Sequence, residues 1–136
     1  MDSRGLGRIR YNTETLKPRR LDVRAVRRAA ILREIGDRSG DPELSAIAVA
    51  RLLGITPRYV HLLLEDTGRR FSRHLLEKRL EKAAVLLRDS GWSDRRIIDI
   101  AAEAGFANLS YFNRAFRKQY GARPSDVRNA TFKERR

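Results

Sequence analysis

Between Ala101 and Pro124 the chain reads AAEAGFANLSYFNRAFRKQYGARP, and this stretch constrains the fold more than any other. An alanine stands four residues before a glycine, Asn108 is a side chain suited to cap a helix, and an amphipathic run follows. Phe112, Ala115 and Phe116 fall on one face of that run, while Ser110, Asn113, Arg114, Arg117 and Lys118 fall on the other. The pattern predicts two short helices crossing closely at Ala101, with a tight turn at Gly105 plugged by Phe106 and a stop near Gly121. A weaker copy lies upstream in ARLLGITPRYVHLLLEDTG, from Ala50 to Gly68. Thr56 serves as its cap, Pro57 suits the first helical position, and Val60, Leu63 and Leu64 are apolar. Ala50 and Gly54 align with Ala101 and Gly105, and Tyr59-Val60-His61 aligns with Tyr111-Phe112-Asn113 once the second turn is allowed one extra residue. Each unit is a helix-turn-helix, a motif whose second helix can enter a DNA groove.

Charge supports a polyanionic partner. The 136 residues carry 30 Lys and Arg against 17 Asp and Glu, a formal net charge of +13. Nucleic acid is the first partner such an excess implies; an anionic membrane surface or a ribosome-associated role shares the same charge. There is no cysteine, which excludes disulfides, thiol nucleophiles and Cys-based zinc sites, and His61 and His74 are too few for a histidine metal cluster. No cofactor and no metal site is expected. No carboxylate pair or phosphate-cradling glycine loop points to an enzyme. No apolar run reaches the roughly 18 residues of a membrane span, and the Arg-rich N-terminus lacks the apolar centre of a signal peptide, so a cytoplasmic, nucleoid-associated protein is expected.

The remaining segments read as an all-α chain of about seven helices. Residues 1–20, broken by Gly5, Gly7 and Pro18, form a flexible basic arm or linker. Asp22 is placed as the cap of a helix to Arg38, with Val23, Val26, Ala30 and Ile35 inward and Arg24, Arg27, Arg28 and Arg33 outward. The first helix-turn-helix subdomain spans 21–70, with a leading helix from Leu44 to Leu53 and a second helix to about Asp66. A connecting helix within 71–91 runs from about Ser72 to Asp89, a rod of about 27 Å, with Leu75, Leu76, Leu80, Ala83, Ala84 and Leu87 as its stripe. Trp92 plugs the corner in preference to stacking on a base. The second subdomain, 92–130, opens at a Ser93 or Asp94 cap and ends in a short helix from Pro124 through Val127, with a frayed basic tail over 131–136.

On these residues the chain resembles the C-terminal DNA-binding domain of AraC/XylS-type bacterial transcription regulators. The resemblance covers about residues 22–130 and is sharpest in I-x-D-I-A-x-x-x-G-F-x-N-x-S-Y-F-N-R-A-F-R-K-x-Y-G-x-x-P-S-D-V-R, from Ile97 to Arg128. R-L-x-x-A-x-x-L-L, from Arg79 to Leu87, supports it. It implies two helix-turn-helix subdomains on a long central helix, sequence-specific binding of double-stranded promoter DNA, and activation through RNA polymerase. By motif position, base reading falls to Arg58, His61 and Leu62 in the first unit and to Leu109, Ser110, Asn113 and Arg114 in the second. Arg114 could instead grip phosphate, and His61 could be a solvated helix residue. Phosphate contacts fall to Arg117, Lys118, Arg123, Arg128 and the helix starts after Thr56 and Asn108. Leu62 departs from the usual polar residue at its position and weakens the first unit or reads a thymine methyl; Arg79 has a structural role across the central helix. Relatives usually carry a large N-terminal effector or dimerisation domain, so the chain is either a stand-alone regulator or a C-terminal fragment, and the domain alone is expected to be monomeric. The competing reading is a basic RNA-binding or protein-interaction helical module without duplex readout.

Overall fold

The computed structural model describes residues 19–134, and among them every regular element is helical. Seven α-helices follow in order: α1 (Arg19–Arg38), α2 (Ala46–Leu53), α3 (Pro57–Glu65), α4 (Phe71–Leu87), α5 (Ile97–Glu103), α6 (Leu109–Tyr120) and α7 (Pro124–Glu134). A 3₁₀ turn, Ser90–Trp92, separates α4 from α5. The expected basic arm lies outside the described residues except at Arg19 and Arg20, which already belong to α1.

Two apolar cores are strung on one helix. Ile31 and Ile35 of α1, Val49 and Ala50 of α2, and Val60, Leu63 and Leu64 of α3 close the first around Leu44, with Phe71 and Leu75 of α4 as its floor. The second gathers Leu80, Ala83, Ala84 and Leu87 of the same helix against Ile100 and Ala101 of α5, Phe106, and Phe112 and Phe116 of α6. At 17 residues α4 is about 25 Å long, so one rigid rod belongs to both cores. The chain therefore folds as two helix-turn-helix subdomains on a shared central helix.

Local chemistry sets most boundaries. Ser45 accepts a hydrogen bond from the Ala48 N–H (3.1 Å), so α2 begins after it; Leu44 is buried ahead of the helix. The Asp89 carboxylate accepts from Gly91 N–H (2.8 Å) and starts the 3₁₀ turn, which ends α4 at Leu87. That turn also corrects the expected start of α5. The Ser93 N–H is spent on Ser90 O and the Arg95 N–H on Trp92 O, so Ser93 and Asp94 belong to the turn. The helix starts at Ile97, where the Asp99 carboxylate accepts from Arg96 N–H at 3.3 Å. Trp92 is half-buried against the second core with the Arg95 guanidinium 4.6 Å from its ring centre.

Two further expectations are corrected. Val23 and Val26 are 46% and 67% exposed, whereas Ile31 and Ile35 are fully buried. The packed face of α1 carries Ile31 and Ile35, and beside them Arg28 donates Nε to Leu63 O (2.9 Å) and pairs its fork with Asp66 at the end of α3. Arg28 thus lies at the first core's rim, and Val23 and Val26 lie off the packed face. Asp22 lies inside α1 rather than before it. At the other end, α7 continues past Val127 to Glu134, with Thr131 Oγ1 donating to Val127 O (2.9 Å), where a frayed tail was expected.

Candidate nucleic-acid interface

The two turns are built by the same backbone bonds. In the first, Ile55 N–H donates to Ala50 O (3.0 Å) and Gly54 sits at φ +69°. In the second, Phe106 N–H donates to Ala101 O (2.9 Å) and Gly105 sits at φ +104°. This six-residue closure satisfies carbonyls that the ended helix would leave bare. It also redirects the chain so that the next helix crosses over the alanine, and Ala50 and Ala101 are both buried where it does so. The caps correspond as well: Thr56 Oγ1 accepts from Tyr59 N–H (3.0 Å), and Asn108 Oδ1 accepts from Tyr111 N–H (2.8 Å). One extra residue, Ala107, stands in the second turn.

Identical frames present unlike faces. On α3, Arg58, His61 and Leu62 are exposed. Arg58 and Leu62 share an open groove of about 500 Å³ with Thr56, Tyr59 and Arg27. His61 opens instead onto a different groove with Leu64, Glu65 and Arg69. On α6, Leu109, Ser110 and Arg114 are exposed and Asn113 is half-buried. Leu109, Asn113, Arg117 and Arg123 meet in a groove of about 330 Å³ closed by Ile97 and Pro124.

Charge differs between the two helices. α3 ends in Glu65 and Asp66, and Asp66 is bridged by Arg28 and Arg24. α6 ends in Arg117 and Lys118, which together with Arg114 form no ion pair among the described residues. Arg123 pairs with Asp126 (Nε–Oδ2 3.1 Å), and that guanidinium holds the Asp126 carboxyl below the usual carboxylate range. Arg128 donates to Arg95 O, which pins α7 to the loop before α5. Thr56 and Asn108 spend their side-chain oxygens on capping, so an anion would meet the Leu109 and Ser110 amides at the start of α6 but only the Arg58 amide at the start of α3, where Pro57 has no N–H.

Sequence reasoning missed Arg27 as a neighbour of the first unit. Its guanidinium lies 5.7 Å from the Tyr59 ring centre and Nη1 stands 3.4 Å from Tyr59 Oη, adding a cation beside the start of α3. The exposed arginines of α1 carried the only signal; the contact spans 32 positions and leaves no local pattern.

A family model described as a helix-turn-helix domain matches residues 49–130, more than half of the chain. The chain belongs to the AraC-type helix-turn-helix family. It is 39% identical over 102 residues to the transcriptional activator RhrA of Rhizobium meliloti, covering 75% of this chain and 32% of that protein. It is 30% identical over 129 residues to the HTH-type transcriptional regulator CdhR of Pseudomonas aeruginosa, covering 90% of this chain and 37% of that protein. The chain therefore spans about a third of the length of these relatives. Among solved structures, the C-terminal domain of AraT, a response regulator from Geobacillus stearothermophilus, superposes with a TM-score of 0.67 at 28% identity, covering 76% of this chain and 84% of that one. An AraC-type regulator from Chromobacterium violaceum shares the fold with a TM-score of 0.66 at 23% identity, over 76% and 89% of the two chains.

Proposed function

We propose that the chain is a sequence-specific DNA-binding regulator of transcription, an activator, that lays α3 and α6 in successive major grooves of one duplex. The observation that carries the reading is the twin frame: the same turn bonds and the same caps, repeated at Ala50–Tyr59 and Ala101–Tyr111, hold out two helices with different exposed side chains. A B-DNA major groove admits one α-helix and recurs about every 34 Å. Two unlike helices on a shared rod suit an asymmetric site of two dissimilar boxes about ten base pairs apart.

In this reading Arg114 offers its fork to guanine O6 and N7, and Asn113 pairs with adenine. Ser110 and Leu109 complete the second box. Arg58, His61 and Leu62 read the first box, with Leu62 against a thymine methyl. Arg117, Lys118, Arg123, Arg128, the Arg58 amide after the Thr56 cap and the Leu109 and Ser110 amides after the Asn108 cap hold phosphates. The second unit, with a basic α6, dominates affinity. The domain binds as a monomer in the cytoplasm, and activation proceeds through contact with RNA polymerase. The relatives named as activators support that direction.

Selection from a random duplex library tests the proposal. The expected result is an enriched two-box sequence whose binding is competed by the same duplex and not by RNA of equal length. Arg114→Ala should cost about 1–3 kcal/mol and relax preference at one base pair of the second box. Enrichment of RNA over duplex, or no sequence preference, refutes it.

A further inference from the structure

α4 changes allegiance between Leu75, in the first core, and Leu80, in the second. Arg79 stands at that change. Its Nε donates to Ser39 O (2.8 Å) and its Nη2 to Asp41 O (2.8 Å), so one planar guanidinium grips two carbonyls of the loop between α1 and α2. Ser39 is the one buried polar residue among those described, at 3% exposure. Against the same carbonyl lies the turn of the second unit: a β-carbon on Gly105 would stand 2.4 Å from Ser39 O and 2.7 Å from Arg79 Nε. A β-carbon on Gly40 would meet Glu103 O at 3.0 Å, at the end of α5. The first subdomain therefore touches the turn of the second directly, and not only through the shared rod.

We propose that this loop, gripped by Arg79 and abutted by Gly105, is a strut that fixes the orientation of α6 relative to α3, making Arg79 a positioning residue for two-box DNA recognition. The inference rests on the reading of α3 and α6 as groove readers. A helix alone restrains its two ends in bend but leaves each subdomain free to roll on its own packing. A second contact, off the helix axis, removes that freedom. Rigid linkage makes binding of the second box effectively intramolecular, and that advantage holds only when the geometry fits. The strut thus supplies affinity for correctly spaced boxes and rejects wrongly spaced ones. Arg79 suits the task because its fork reaches both carbonyls in one plane, which an ammonium cannot do.

The test uses the full chain with Arg79→Lys and Arg79→Ala, and two readouts. The first is affinity for the duplex selected by the wild type, for versions with either box scrambled, and for versions with one or two base pairs inserted between boxes. The variants are expected to lose about tenfold on the intact duplex, to match the wild type on single-box duplexes, and to discriminate less against insertions. Arg79→Lys should fall between the wild type and Arg79→Ala. The second readout is the relative orientation of α3 and α6 from residual dipolar couplings of the free chain, which should become averaged in the variants. Equal losses on all duplexes, an unchanged intact-site affinity, or unchanged couplings overturns the proposal. Should Arg79→Ala not fold, Arg79→Lys decides. Should the wild type select no duplex, the groove-reading function fails, and the couplings alone decide whether the strut exists.

Discussion

Replacing Gly105 by alanine should be far more damaging than the matching change at Gly54, although both glycines turn equivalent corners. At both, φ is positive, +69° at Gly54 and +104° at Gly105, and a residue with a β-carbon loses about 1–2 kcal/mol in left-handed backbone. Around Gly54 nothing lies within 4 Å of an added β-carbon. At Gly105 that carbon would collide with Ser39 O at 2.4 Å, and this carbonyl cannot retreat because Arg79 holds it. Overpacking of this kind adds about 1–3 kcal/mol. Gly54→Ala should therefore cost about 1–2 kcal/mol and Gly105→Ala about 2–5 kcal/mol. With a urea m-value of about 2 kcal/mol/M, the midpoints should fall by about 0.5–1 M and about 1–2.5 M. Urea unfolding of the three proteins at unchanged m-value measures both shifts. Equal midpoints for the two variants would refute the close approach of the second turn to the α1–α2 loop.

Three other outcomes follow from the same geometry. Asn108→Ala removes the acceptor for Tyr111 N–H and should cost about 1 kcal/mol in urea unfolding, with Asn108→Ser restoring most of it. Burial, and next the charge of Arg69, push His74 below its ordinary value, while its Nε2 stays 2.8 Å from Thr67 Oγ1. The unfolded chain then takes up the proton first, so stability should fall as pH drops from about 6.5 through the folded value; His74→Gln should lose that slope between pH 7 and 5, and identical slopes would contradict it. If six to ten phosphates are neutralised, duplex affinity should fall about 10³- to 10⁵-fold between 50 and 200 mM salt, and a flat salt response would contradict phosphate clamping.

Much of the fold was legible because its determinants are local. Thr56, Asn108, Gly54, Gly121 and the apolar steps of α3 and α6 act over three or four residues, and each lies where its pattern placed it. The first helix is ambiguous in sequence because two apolar stripes compete in it. Val23 and Val26 lead to one and Ile31 to the other, while Ile35 is buried as its spacing predicts, and the choice is made by packing against α3 and α4, which no local pattern records. The Arg96–Asp99 start of α5 was hidden by Ser93 and Asp94, which are better caps by residue type but are spent in the preceding turn. In the candidate site, the exposed residues of α6 were readable from periodicity. The stacking of Arg27 on Tyr59 and the grip of Arg79 on Ser39 were not, since each depends on how distant segments meet.

Hydroxyl-radical footprinting of the chain on its selected duplex tests the central claim most directly. Two protected patches on one face of the DNA, centred about ten base pairs apart and lost separately when either box is scrambled, are the predicted result. A single patch, or protection indifferent to scrambling, would contradict the account of two unlike helices held in successive grooves.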